Sequence, residues 1–431
     1  MACPADWQNV SIRDVTLRFE NWARLSEPRS TIRYIDVSAV ARATLTIENA
    51  TEHPIKSAPS RAQQRVLNGD TMVATIRPRL RRVCQVPESL DKEIASTAFC
   101  VLRPDRQRIN QGFLFFSLIT DRMTEAIAER ETGASYPAVR NRDVLDQSIC
   151  LPPLQEQIEI SRTLGLIRAA IFGQHKALQV TKLLKEATTR YLFRRGLRGE
   201  AQKNTDIGHI PESWQMKSLG EVAEIVYGAQ AAVASSTDPA LGIPILTNVN
   251  ITLDGEIDLA KKRYYAVPAN RRDRLILRKG DVLFNWRSGS AEHVGKSAYF
   301  DEDEELTYSS FILRFRPCRF VSGKFLYRYL KYLHTDGFFS SRRNVSSINS
   351  VYNASLSATI PIWFPTCSEQ RNVVDILDTI DRKILLQKRK KLVLERLFKA
   401  LLDKLMAAEI RVSQLDLSVL GEAEDRVEAT A

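Results

Sequence analysis

Two long stretches of this chain repeat apolar side chains at alternating steps of four and three, the seam of a left-handed coiled coil. In the second stretch Val373, Leu377, Ile380, Ile384, Gln387, Lys391, Leu394, Phe398, Leu401 and Leu405 keep that spacing, and only Gln387 and Lys391 are polar. In the first, Ile160, Leu164, Ile167, Ile171, Gln174 and Leu178 hold the same register. It then slips by about one residue and resumes at Leu184, Ala187 and Tyr191. Each stretch predicts a helix of about 40 residues, roughly 60 Å long at ~1.5 Å per residue. The expected seam therefore contains Leu164, Ile167, Ile171, Leu178, Leu184, Leu377, Ile380, Ile384, Leu394 and Leu401.

Both helices open on related motifs, Leu151-Pro152-Pro153-Leu154-Gln155-Glu156-Gln157 and Phe364-Pro365-Thr366-Cys367-Ser368-Glu369-Gln370. An offset of 213 aligns them, with 11 identities in 43 gapless pairs, so the chain carries a duplicated domain rather than a solenoid unit. Thr366 followed by Glu369 fits a capping box, and prolines suit a first turn that lacks N–H partners in any case. Arg194, Arg195 and Gly196 make a good C-terminal stop.

Ahead of each helix lies a stretch of shorter periods. Trp7 and Trp214 stand at matching openings, and Asn68-Gly69-Asp70 answers Lys279-Gly280-Asp281, each a turn feeding an apolar strand. Ser96–Pro104 answers Ser309–Pro317, again strand-like, and a short helix follows from Phe113 or Phe325. The pattern predicts an α+β chain of two tandem mixed domains. The expected boundaries are a first domain at 1–150, a long helix at 151–200, a second domain at 201–363, a second long helix at 364–410, and a tail without fixed structure at 411–431.

Composition narrows the function. The formal charge of +11 points to a polyanion partner. Six cysteines without C-x-x-C pairing and five scattered histidines indicate neither a zinc site nor a disulfide framework, so the cysteines read as reduced thiols and no metal site is expected. The first residues lack the pattern of a signal peptide, and no apolar run reaches membrane-spanning length. There is no Asn-Pro-Pro-aromatic or Asp-Pro-Pro-Tyr signature, no G-x-G-x-x-G turn and no phosphate loop, so no catalytic residue is expected in this chain.

The paired helix motifs, the Ile210-Pro211-Glu212-Ser213-Trp214 opening, the Gly-Asp strands and the order of domain then helix together resemble the specificity subunit of type I restriction-modification systems. Thr366 and Cys367 depart from the family's Pro and Leu. The resemblance implies two target recognition domains separated by antiparallel coiled-coil helices, close to two-fold symmetric, each reading one half of a bipartite double-stranded DNA target. It implies methyltransferase (M) and restriction-translocase (R) subunits as partners, with S-adenosylmethionine, ATP and Mg held there and not here. A prokaryotic cytoplasmic location follows, with no membrane. Two alternatives compete: a self-contained DNA methyltransferase or nuclease, which the missing motifs disfavour, and a coiled-coil scaffold, which the net charge disfavours.

Base readout needs side chains with two-point hydrogen bonding, and phosphate contact needs cations. In the first domain these cluster at Arg77, Arg79, Arg81 and Arg82, and at Arg140, Asn141 and Arg142. The matching stretches of the second give Asn285, Arg287 and Ser288, then Arg342, Arg343, Asn349, Tyr352 and Asn353. Finally, duplication predicts that a fragment ending near Asn204 pairs with itself through Ile160, Leu164, Ile167 and Ile171.

Overall fold

Each Gly-Asp turn seats a carboxylate where an arginine of the neighbouring strand closes on it. Asp70 accepts from the backbone N–H of Leu67 at 2.9 Å and takes Arg103 through both nitrogens at 3.1 and 2.9 Å. Asp281 repeats this with Arg278 N–H at 2.8 Å and Arg316 at 2.7 Å twice. Both aspartates are 1% exposed, so the pairing offsets the cost of burying them. This clasp ties the central strand of a sheet to its neighbour in both halves of the chain.

The computed structural model describes residues 3–205, 208–230, 236–288, 290–341 and 352–415. It divides into two units, residues 1–177 with 387–431, and residues 178–386.

The first unit contains β1 (Gln8–Ser11), β2 (Thr16–Leu17), β3 (Thr31–Ile35), β4 (Thr51–Pro54), β5 (Ala62–Arg65), β6 (Thr71–Ala74), β7 (Val83–Gln85), β8 (Ile94–Ser96) and β9 (Phe99–Pro104). Helices α1 (Gln111–Leu118), α2 (Asp121–Ala128) and α3 (Asn141–Leu145) follow, then β10 (Ser148–Leu151) and the long α4 (Leu154–Arg195). One sheet runs β2-β9-β6-β7, all antiparallel, and another β4-β3-β8-β5 with β3 and β8 parallel. β1 pairs with β10 and returns the chain to the start of α4.

The second unit repeats the plan. It has β11 (Gln215–Ser218), β12 (Ala223–Tyr227), β13 (Ile243–Leu246), β14 (Tyr264–Tyr265), β15 (Val282–Asn285), β16 (Ser297–Tyr299), β17 (Thr307–Tyr308) and β18 (Ile312–Pro317). α5 (Gly323–Thr335), α6 (Ala354–Ala358), β19 (Pro361–Phe364) and the long α7 (Cys367–Met406) complete it. The sheets are β12-β18-β15-β16 and β14-β13-β17, the latter again with one parallel pair, and β11 pairs with β19.

The Glu-Gln pair of each helix motif fastens the helix to its domain. Gln157 donates to the carbonyls of Pro152 and Arg108 and accepts from Asn110 N–H at 2.8 Å. Gln370 does the same with Pro365, Phe320 and Ser322 N–H. Asn110 and Ser322 cap α1 and α5, so one carboxamide joins three elements. Glu156 accepts from the Trp7 indole at 3.2 Å, and Glu369 from the Trp214 indole at 3.4 Å. Arg411 reaches Glu156 at 2.6 Å and Asp6 at 2.9 Å, while Arg198, 213 positions earlier, meets Glu369 at 3.2 Å. Against the expectation of an unstructured tail from 411, the stretch to Leu415 is therefore ordered, with Val412 packed in the core. Residues beyond 415 lie outside the described residues.

Within the first unit the early part of α4 and the late part of α7 share a core with α1, including Ile160, Leu164, Leu402 and Leu405. Within the second, Leu192 and Phe193 of α4 share one with Val373 and Leu377 of α7. The helices are antiparallel in each. Leu164, Ile167 and Leu377 are at most 1% exposed, Ile384 is buried, and Ile171, Leu178, Ile380, Leu394 and Leu401 are partly buried.

Leu184 is a correction. It is 53% exposed, and the inner face runs without a slip through Leu178, Thr181, Lys185, Thr188 and Leu192. The apparent slip followed a second stripe, Val180, Leu184, Ala187 and Tyr191, which faces solvent. Lys185 belongs inside because Asp381 meets it at 2.5 Å, beside Arg328, which contacts both Asp378 and Asp381.

The reading of six reduced thiols is also corrected. Cys3 and Cys150 form a disulfide with Cα atoms 5.6 Å apart, brought together by the β1–β10 pairing across 147 residues of sequence. Cys84 and Cys100 are free and buried, and burial pushes each thiol up to about 12.

The polar inner face changes the expectation for a self-paired fragment. Subtracting 213 puts Thr181, Lys185 and Thr188 where Leu394, Phe398 and Leu401 now serve the first unit. Lys185 would then lose Asp381 and replace the Phe398 ring that lies 6.1 Å from Phe116. A fragment of residues 1–204 is expected to sediment as monomer at about 10 μM. Thr181→Leu with Lys185→Leu should lower its dimerisation constant by at least about tenfold, since each buried leucine contributes ~1.5–3 kcal/mol. Equal dimerisation of the two fragments would refute this account.

Candidate nucleic-acid interface

In each unit the chain leaves the central strand and runs beside the segment that precedes a short helix. In the first unit Val139 N–H donates to Thr75, Arg77 N–H donates to Pro137, and Ile76 bridges Ala138. In the second, Tyr352 N–H donates to Trp286. Arg140 and Asn353 stand at equivalent N-caps, those of α3 and α6. The topology therefore brings the two predicted clusters of the first domain to neighbouring loops, and in the second domain sets Tyr352 and Asn353 beside the Trp286–Ser288 stretch, where exposed loop residues on a rigid scaffold can carry recognition.

Charges in the first-unit loop are partly spoken for. Arg79 meets Glu131 at 2.9 Å, and Arg140 and Arg142 each lie 3.9 Å from Asp143. Arg81 contacts Asp121, which also meets Lys399 at 3.1 Å, and these two partners hold the Asp121 carboxyl below its ordinary range. Arg82 is half-buried and donates to the Val37 carbonyl. Lys296 does the equivalent in the second unit, donating to Asn248 at 2.6 Å, so both cations brace one sheet on the other. Arg82 is thereby a structural residue by contact. Asn141 is exposed at the start of α3.

Arg77 differs from its neighbours. Among the described residues it forms no ion pair, and its guanidinium lies over the Tyr136 ring, 5.0 Å from the centroid. Arg77 and Arg81 flank the short turn Pro78–Leu80 with φ of 48° and 52°, a left-handed conformation that costs a non-glycine residue about 1 kcal/mol or more. Backbone strain concentrated at one exposed loop is a mark of function.

The second unit corrects part of the list. Asn285 is fully buried at the end of β15, where Nδ2 donates to the His293 carbonyl at 2.7 Å, so it cannot touch DNA. Tyr352 is 8% exposed, with its ring 5.1 Å from Phe339. Asn353 caps α6 by accepting from Leu356 N–H at 2.9 Å. Ser288 Oγ accepts from Ser290 N–H at 3.3 Å. Arg287 is exposed and lies over the Phe311 ring at 5.9 Å. Arg342, Arg343 and Asn349 lie outside the described residues. Sequence reasoning passed over Tyr136 and Phe311, since 59 and 24 positions separate them from their arginines and no local pattern links them.

No cluster of ligating side chains fit to hold a metal occurs among the described residues. None of the described helices is long and apolar enough to cross a membrane.

The type I restriction modification DNA specificity domain matches residues 211–396. The MjaVIII specificity subunit of Methanocaldococcus jannaschii is 25% identical over 336 residues, spanning 75% of this chain and 76% of that one. The EcoKI specificity subunit of Escherichia coli is 24% identical over 241 residues, 53% and 49% of the two chains. A solved chain described under complex assembly and conformational transition of the type I R-M system superposes with a TM-score of 0.60 at 25% identity, over 94% of this chain and 99% of its own. The type I S subunit of M. genitalium, 15% identical with a TM-score of 0.56, shares the fold over 94% and 98% of the two chains.

Burial decides the fate of Asn285 in a test. Asn285→Ala should lower the unfolding midpoint by an amount equivalent to about 1–3 kcal/mol, the cost of a lost buried hydrogen bond. It should leave relative affinities among DNA sequences unchanged. A change of sequence preference at an unaltered midpoint would return Asn285 to the interface.

Proposed function

We infer that this chain, which belongs to the specificity subunits of type I restriction-modification systems, is the non-catalytic component that selects the DNA sequence on which its partners act. The observation that carries the reading is the duplication: two units of one plan, each presenting an exposed arginine beside its central strand, on a chain similar along three quarters of its length to a named specificity subunit. Each unit would read one half of a bipartite target, with unlike loops reading unlike halves. S-adenosylmethionine, ATP and Mg would be held by partner subunits, and the assembly would work in the prokaryotic cytoplasm, where DNA is the substrate.

The partner surface we favour is the outer stripe of the long helices. Val180, Leu184 and Ala187 are identical to Val393, Leu397 and Ala400 at the repeat offset, yet Val180, Leu184, Val393 and Leu397 are 64%, 53%, 62% and 44% exposed. Exposed apolar stripes retained in both copies fit two copies of one apolar-faced partner helix better than they fit solvent. A methyltransferase subunit bound once per stripe accounts for both.

Two measurements test this. Incubated with DNA and labelled S-adenosylmethionine, the chain alone should give no incorporation, and with its methyltransferase subunits it should direct methylation to one interrupted sequence. Incorporation by the chain alone, or methylation without sequence preference, would be the contrary result. Val180→Glu with Leu184→Glu should lower the number of methyltransferase subunits bound from two to one by native mass spectrometry, without a change in the unfolding midpoint. Undiminished binding would exclude the stripe.

A further inference from the structure

We propose that Arg77 and Arg287 each read a guanine, one in each half of the target, and that Tyr136 and Phe311 are the positioning rings that hold them ready. The proposal rests on the recognition function above and assigns residues to it.

Charge is the first argument. The other arginines of the first loop have partners: Arg79 has Glu131, Arg81 has Asp121, and Arg140 and Arg142 share Asp143. Arg77, and likewise Arg287, forms no ion pair among the described residues, and both are exposed. A cation already neutralised by a carboxylate must give that contact up before it can bind DNA. Among the described residues Arg77 and Arg287 have no carboxylate to give up.

Geometry is the second. A guanidinium held over a ring by cation–π attraction keeps its N–H groups available, so part of the side-chain freedom is given up before DNA arrives and less entropy is lost on binding. A planar fork matches O6 and N7 of guanine in the major groove, and it can also grip a phosphate. The surroundings favour the base. Ile76 is 38% exposed and Tyr136 76%, so Arg77 sits on an apolar shelf suited to base edges and thymine methyls. Around Arg287, Phe311 and the Tyr227–Trp286 pair, with rings 5.5 Å apart, form a second such shelf.

Independence is the third. The platforms are not equivalent residues. Tyr136 precedes the segment that pairs with Thr75 and Ile76, whereas Phe311 immediately precedes β18, where Ala98 stands in the first unit. Two units have thus reached an arginine over an aromatic ring, next to the central strand, from different sequence positions. Descent from a common ancestor does not account for that pairing.

The experiment uses the full-length chain with its methyltransferase partner and a DNA library randomised across both halves of the target, with bound and unbound pools sequenced. Tyr136→Ala and Arg77→Lys should each reduce the preference for guanine at one position of one half by about 5- to 100-fold. The other half should be read as before, and affinity for non-specific DNA should change by less than about twofold. Tyr136→Phe, which keeps the ring, should preserve the preference. Phe311→Ala and Arg287→Lys should act in the same way on the opposite half, and Arg287→Lys covers the case in which Phe311→Ala unfolds its unit. A uniform loss on all sequences would make these residues phosphate contacts and overturn the proposal, as would unchanged preference. A wild-type complex without any sequence preference would overturn the recognition function first.

Discussion

The side-chain carboxamide of Gln157, and its counterpart in Gln370, is the joint on which each half of this protein depends. A helix of 42 or 40 residues begins where a two-stranded ribbon ends, next to the N-terminus of the helix that covers the sheet. Three chain segments meet there, and their carbonyl and N–H groups are withdrawn from water. Only a group with both donors and an acceptor can answer them, and a carboxylate cannot donate. Gln157 and Gln370 are each 1% exposed, with the oxygen and the nitrogen both engaged. The preceding glutamate then takes an indole N–H and an arginine, which fixes the opening of each unit and the stretch that follows the other long helix against the same helix turn.

What the sequence disclosed follows from which of its signals were physical repeats. The helix starts, the two seams over Val373–Leu405 and Ile160–Leu178, and the Gly-Asp turns recur because the same contacts recur. The seam beyond Leu178 was misread because apolarity was followed in place of register. Thr181, Lys185 and Thr188 keep the spacing of four and three, and Asp381 makes a lysine acceptable inside, a partner that a search for apolar residues cannot reveal. Asn285 misled for the opposite reason. An amide at a strand end looks like a base reader, but strand register turned it inward onto the His293 carbonyl. The disulfide, and the rings beneath Arg77 and Arg287, depend on pairs distant in sequence that only the fold brings together.

The two copies have not diverged evenly, and the pattern of divergence separates kinds of constraint. The inner faces of α4 and α7 keep Leu164, Ile167, Ile171, Gln174 and Leu192 as Leu377, Ile380, Ile384, Gln387 and Leu405, but differ in between, with Thr181, Lys185 and Thr188 against Leu394, Phe398 and Leu401 at equivalent places. Such faces meet only the chain itself, so a change on one side can be matched by a change on the other, as Lys185 is matched by Asp381. The clasp of aspartate and arginine and the Glu-Gln joint have stayed the same, because each is enclosed by backbone groups that have no alternative residue to offer. The outer stripe keeps Val180, Leu184 and Ala187 in the second copy, though Tyr191 is answered by Lys404, and it does so for neither reason. It is exposed, so packing does not enforce it, and a long helix has no need of apolar residues on a wet face. A surface that must accept an identical partner twice cannot compensate a change in one copy by a change in the other. Over these turns of helix the exposed Val180, Leu184 and Ala187 recur as Val393, Leu397 and Ala400 while the inner residues between them have changed, which is the pattern an adaptor would show if one face of it met the same partner twice.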